Sequence, residues 1–178
     1  MTPTVDAGLA GAVHAALRDV PDHPKPGIRF KDITPLLGDA ALFARTTDAM
    51  AGWFAGAGVT HVAAIESRGF ILGGPIAQRL GAGFVPLRKP GKLPAARRRV
   101  EYALEYGTDA LEAHADACAL PGGGVARVLV IDDVLATGGT AAAACRLIEE
   151  IGGRVLGCAF LLELGFLHGR RALGERSA

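Results

Sequence analysis

Two adjacent carboxylates, Asp132 and Asp133, stand between an apolar run and a small-residue turn in the segment VLVIDDVLATGGT, residues 128–140. The run 128–131 reads as a buried strand, and the turn 136–140 opens onto an Ala-rich helix. In open α/β sheets, ligands bind at the carboxyl ends of the strands. A turn without bulk lets backbone N–H groups close round an anion at the helix N-terminus, and the hydroxyls of Thr137 and Thr140 add donors. Two carboxylates would repel a bare phosphate. Beside a sugar phosphate they have a use, because they accept hydrogen bonds from vicinal ribose hydroxyls while the amides hold the 5′-phosphate. The pattern therefore fits a ribose 5-phosphate better than a free phosphate or a nucleotide triphosphate tail. Neither GxxxxGK[ST] nor GxGxxG occurs.

The elements that must position these groups follow from hydrophobic spacing. Val5, Leu9, Val13, Ala16 and Leu17 recur at helical intervals over residues 5–19. PDHPKPG, 21–27, breaks any helix, and 28–30 reads as a short strand. Asp39 is placed to cap a helix running to about 56, with Leu42, Phe43, Met50 and Trp53 on its buried side. Short apolar strands then alternate with helices: strand 62–65, helix 70–80, strand 84–87, strand 128–131, helix 140–151, strand 154–162. This alternation predicts an α/β fold with a central, mostly parallel sheet flanked by helices. The basic, Pro-rich segment RKPGKLPAARRRVEYAL, 88–104, shows no buried stripe and reads as a long mobile loop. The Pro-Gly-Gly-Gly stretch at 121–124 reads as a plain turn.

The chain has 178 residues, half of them apolar and a fifth charged, which suits one ordered domain with a real core. A net charge of +1 gives no global pull toward nucleic acid or an anionic membrane, so no nucleic-acid or membrane partner is expected. Cys118, Cys145 and Cys158 are too few and too scattered for a disulfide framework and read as buried apolar residues. The five histidines show no metal-ligand spacing. Without a signal-like segment or an apolar run near twenty residues, a cytoplasmic location is expected.

The run VLVIDDVLATGGT resembles the motif with which type I phosphoribosyltransferases bind phosphoribosyl pyrophosphate (PRPP). PKPGIRFKDITPLL (24–37), ESRGF (66–70), VPLRKPGKLP (85–94) and LEYGTDALE (104–112) resemble the adenine-using branch of that family, in the same order and spacing. The likeness covers roughly residues 20–165. It implies a single domain over 1–178, a small N-terminal hood mainly at 20–37, and a mobile lid at 88–104. It implies transfer of the phosphoribosyl group from PRPP to adenine, giving AMP and pyrophosphate, with Mg2+ carried mainly by PRPP, in a homodimer.

Residue by residue, the resemblance assigns the ribose hydroxyls to Asp132 and Asp133, and the 5′-phosphate to Ala136, Thr137, Gly138, Gly139 and Thr140. Ser67, Arg68, Arg88, Lys89 and Lys92 fall to pyrophosphate, and the peptide before the Ser67 position is often cis in this family. Glu105 becomes the general acid/base at a purine ring nitrogen, with Tyr106 packing nearby. Phe30 stacks on adenine, the backbone of Arg29 and Lys31 reads its edge, and Leu164 covers the other face. Arg97-Arg98-Arg99 departs from the more acidic sequence usual in the lid and reads as solvated charge. Family members often have a further strand where residues 165–178 stand. Two other functions fit the same motif: a PRPP-binding regulator, or an enzyme for another nucleobase. Regulators of this fold carry an added DNA-binding domain, for which one helix in residues 1–20 is too little.

Overall fold

In a computed structural model, residues 6–23, 25–104 and 107–174 are described, and the chain divides into two units, Met1–Trp53 and Phe54–Ala178. The first unit begins with α1 (Ala7–Ala16), capped by Asp6, whose carboxylate accepts from the Leu9 amide at 3.0 Å. The helix stops short of 19 because the chain turns extended as β1 (Arg18–Val20), pairing antiparallel with β2 (Phe30–Asp32). The strand expected at 28–30 is shifted to 30–32. Asp22 accepts from the Gly27 amide at 2.7 Å, and the turn so closed takes up the chain before β2. After α2 (Thr34–Gly38), Asp39 caps α3 (Ala40–Gly52) through the amides of Ala41 and Leu42, both at 3.0 Å. Leu42 and Met50 are buried as expected, and Phe43 and Trp53 are half-buried.

The second unit is the predicted α/β body. Its strands β3 (His61–Ile65), β4 (Gly83–Leu87), β7 (Arg127–Leu135) and β8 (Arg154–Glu163) form one parallel sheet in the order β4-β3-β7-β8. Helix α4 (Arg68–Leu80) links β3 to β4, and α5 (Gly139–Glu150) links β7 to β8. The two central strands are buried as continuous apolar runs, Val62 to Ile65 and Val128 to Ile131, as a sheet covered on both faces requires. The core continues through Ala143, Ala144, Leu147 and Ile148 of α5.

The reading of 88–104 as loop is corrected over its second half. Arg97–Leu104 is strand β5, paired in register with β6 (Gly107–His114) as an antiparallel hairpin. Val100 and Tyr102 are buried while Arg99, Glu101 and Ala103 are exposed, a two-residue alternation that the three arginines hide. Residues 89–96 are irregular, and the backbones of Arg88 and Glu112 bridge to each other at 2.8 Å in both directions.

Beyond β8 the chain makes a 3-10 turn (Gly165–Leu167) and a short α6 (Arg170–Leu173), whose Leu173 is buried. All three cysteines are buried and none is in a disulfide. Among the described residues, no helix is long and apolar enough to cross a membrane.

Candidate active site

The sheet order makes a crevice. From β3 the chain leaves through α4 toward one edge, and from β7 it leaves through α5 toward the other, so the two connections diverge at the β3/β7 boundary. Such a switch point leaves a gap above the strand ends, with two helix N-termini facing into it. The residues singled out by sequence lie around it: Ser67 and Arg68 where α4 begins, Asp132 and Asp133 near the end of β7, and 136–140 where α5 begins.

The acid pair sits inside β7, which runs four residues past the end expected at 131. Asp133 is buried and forms an ion pair with Arg68 across the crevice. Asp132 accepts from the Asp133 amide at 2.9 Å. Burial pushes the Asp132 carboxyl well above the usual carboxylate range; the adjacent Asp133 charge adds to this, and Arg68 partly offsets it. Gly69 lets α4 approach this closely: a Cβ there would stand 3.0 Å from Asp132 Oδ1 and 3.1 Å from the Ile131 carbonyl oxygen. The Glu66–Ser67 peptide is cis, in accord with the expectation at that position.

Beside the acids lies a cavity of about 70 Å3 lined by Asp132, Ala136, Thr137, Gly138 and Thr140, among others. It suits one small anionic group rather than a whole nucleotide. Gly138 caps α5 in the left-handed region, φ +83°.

Arg88, Lys89 and Lys92 are already paired. Arg88 donates to Glu66 at 2.6 Å, the Lys89 amide donates to the same carboxylate at 3.0 Å, and Lys92 forms an ion pair with it. Burial raises the Glu66 pKa, but hydrogen bonds from Lys92, Arg88 and the Lys89 amide outweigh it and hold the carboxyl down at about 2. The Lys89 ammonium turns away to Asp109 and to the Tyr102 hydroxyl at 2.9 Å. Burial lowers the Lys89 pKa, but these two partners more than reverse it. Glu66, Tyr102 and Asp109 were missed as site residues. ESRGF and LEYGTDALE carry two of them, yet nothing local marks their lysine and arginine partners 20 to 26 residues away.

The arginine run is not uniformly solvated. Arg97 lies 3.2 Å from Glu112, whose side chain is only 3% exposed and also accepts from the Gly91 amide at 3.0 Å. Sequence gave no cue to this, because a glutamate in a strand is ordinarily on the wet face. Arg99 pairs with exposed Glu101 at 2.9 Å.

Arg29, Phe30 and Lys31 belong to the first unit. Phe30 is half-buried and meets His23 edge-on at 5.2 Å. Asp19 pairs with Lys31 and, at 3.8 Å, with Arg29. Leu164 follows β8, its amide donating to the Leu135 carbonyl at 2.9 Å. Glu105 and Tyr106 lie outside the described residues, between β5 and β6.

A switch-point crevice with a carboxylate pair and a small-residue turn at a helix N-terminus is the form of a ligand site in an open α/β sheet. The family model for the phosphoribosyl transferase domain matches residues 40–171. An adenine phosphoribosyltransferase of Myxococcus xanthus is 57% identical over 170 residues, covering 96% of this chain and 90% of that one. The crystal structure of the adenine phosphoribosyltransferase from Rhodothermus marinus superposes with a TM-score of 0.89 at 50% identity, covering 97% of this chain and 96% of that one. The Saccharomyces cerevisiae enzyme, complexed with an imino-altritol bisphosphate and adenine, gives 0.88 at 36% identity, over 97% and 98% of the two chains. The chain belongs to the phosphoribosyl transferase family and, within it, to the adenine phosphoribosyltransferases, enzymes of purine salvage.

Proposed function

We propose that the chain transfers the 5-phosphoribosyl group of PRPP to adenine, and that the residues of the crevice divide the work. The observation that carries this is the Arg68–Asp133 pair, standing at the switch point between the N-termini of α4 and α5. Asp132 and Asp133 hold the ribose hydroxyls, and the turn 136–140 holds the 5′-phosphate. Ser67, Arg68, Arg88, Lys89 and Lys92 receive the pyrophosphate, the four cations exchanging their carboxylate partners for its oxygens. As the C1′–oxygen bond breaks, negative charge grows toward Arg68 and positive charge grows on the ribose beside the two acids.

The carboxylate pair also fits Mg2+ delivered by PRPP. Among the described residues no group of three or more His, Cys, Asp and Glu side chains could hold a metal alone, and Asp132 is short of positive charge where it stands. Asp132 and Asp133 would hold the ion together with PRPP, and it would supply neutralising charge for the leaving pyrophosphate. Arg29, Phe30, Lys31 and Leu164 bind adenine, and Glu105 with Tyr106 handles the proton on its reacting ring. The resemblance also supports a C2 homodimer in the cytoplasm, which sedimentation and fractionation check.

The test is an assay of purified protein with PRPP and Mg2+ against adenine, hypoxanthine, guanine and orotate separately. AMP from adenine alone is expected. Tight PRPP binding with no product from any base would replace this reading by a regulatory one.

A further inference from the structure

The backbone at Gly169 lies across the phosphate turn. A Cβ on Gly169 would fall 2.2 Å from the carbonyl oxygen of Ala136 and 3.0 Å from Leu135 Cγ. One on Gly138 would fall 2.3 Å from the carbonyl oxygen of Gly169. The two glycines are not equivalent. Gly138 has a positive φ that favours glycine by itself. Gly169 sits at φ −57° and ψ −27°, helical values that any residue adopts. Only the close approach to the chain at 135–136 accounts for its missing side chain.

The segment that carries Gly169 is anchored on both sides. Upstream, the Leu164 amide donates to the Leu135 carbonyl, and Arg170 reaches back to Glu163 at 2.7 Å. Downstream, Leu173 is buried in the same core cluster as Leu135 and Ala141. The turn is therefore held by β7 on entry, by α5 on exit, and by residues 164–173 laid against it. Gly169 itself is not part of the cavity lining.

We propose that Gly169 is a positioning residue for the 5′-phosphate: it sets the place of the Ala136 carbonyl, and so the aim of the amides that follow, without touching substrate. The inference rests on the PRPP reading above. Ordinary contact begins near 3.4 Å, so a Cβ on Gly169 forces its own backbone and the Ala136 carbonyl apart by more than 1 Å. Misplacement of that order costs on the order of 100-fold in positioned chemistry.

PRPP dissociation constants and steady-state constants for both substrates are measured on wild type, Gly169→Ala and Gly153→Ala. The last controls for crowding of the core alone, since its Cβ would meet Ile148 Cγ2 at 2.8 Å and Cys118 Sγ at 2.9 Å, near the start of β7. Gly169→Ala is expected to raise Kd and KM for PRPP roughly 10- to 100-fold while KM for adenine holds. Gly153→Ala is expected to lower Tm and leave the PRPP constants in place. Folded Gly169→Ala with unchanged PRPP affinity, or with both KM values raised alike, overturns the inference. Should Gly169→Ala fail to fold, Leu173→Val, which slackens the anchor by one methylene, is judged by the same two outcomes. Wild type that binds no PRPP overturns the underlying reading and this inference with it. Wild type that binds PRPP beside a Gly169→Ala that binds it equally well overturns this inference alone.

Discussion

The Nε of Arg88, just past the end of β4, donates to Oε2 of Glu66, just past the end of β3, at 2.6 Å. Lys92 and the Lys89 amide share the same carboxylate, so one side chain gathers lid groups proposed for pyrophosphate. Its pKa falls from 4.5 to about 2, below the unfolded value. The stability it contributes is therefore complete above pH 4.5 and lost as pH falls from there toward 2. The shift corresponds to at most about 3 kcal/mol, less for screening, since the Lys92 side chain is 48% exposed. Urea unfolding at stepped pH should show wild type more stable than Glu66→Gln at neutral pH, with the gap closing through that window. A gap that stays constant down to pH 2 would show that the pairing contributes nothing.

Asp133 is buried against Arg68, and Asp132 is raised beside it. Asn keeps the shape of each side chain and removes the charge. If the pair accepts the ribose hydroxyls, Asp132→Asn with Asp133→Asn should weaken PRPP binding by at least about ten-fold, at 1.5–3 kcal/mol for each hydrogen bond to a charged group. Titration calorimetry with PRPP and Mg2+ reads this directly. Normal PRPP affinity in the double variant removes the ribose assignment.

The parts of the site that were legible in sequence are those whose chemistry is contiguous. An apolar run, two acids and a small-residue turn identify a strand end, a switch-point site and a helix start within thirteen residues. The strand end was misplaced because polarity was taken as its limit. Asp132 stays in the ladder opposite Phe160, and Val134 opposite Leu162, so a central strand of the sheet carries the acids. The hairpin was illegible for a different reason. Val100 pairs with Leu111 and Tyr102 with Asp109, but flanking arginines drown that alternation in local composition. What buries Glu112, an arginine 15 residues upstream and the amide of Gly91, is a property of the folded pairing.

Arg97 and Glu112 provide a test of that pairing. The Glu112 side chain is 3% exposed, and when Arg97 is removed it keeps the hydrogen bond from the Gly91 amide. A buried carboxylate left short of charge is destabilising, but Arg97 is 44% exposed, so water offsets part of the loss. Arg97→Gln should cost roughly 1 kcal/mol, and Arg98→Gln should stay within about 0.5 kcal/mol. Thermal unfolding of the two variants compares them. Equal effects would return Arg97 to the solvated class.

Glu105 is assigned to the reacting base by resemblance. Two residues upstream, the Ala103 carbonyl lies 3.3 Å from where a Cβ on Gly139 would stand, so this end of β5 touches the first turn of α5. That puts the end of β5 beside the turn 136–140. In the proposed role, the Glu105 carboxyl takes or gives a proton at the purine ring while PRPP is held by other residues. Glu105→Gln keeps the shape and removes the titrating group. Turnover should fall by roughly 100- to 10,000-fold, the span ordinarily supplied by a positioned acid or base, and PRPP affinity should stay close to wild type. Single-turnover rates and equilibrium PRPP titration separate the two quantities. The pH–rate profile supplies the second readout, because the limb set by the carboxyl should vanish in the variant. Loss of turnover and PRPP binding together would make Glu105 a binding residue, and proton transfer would then need another group.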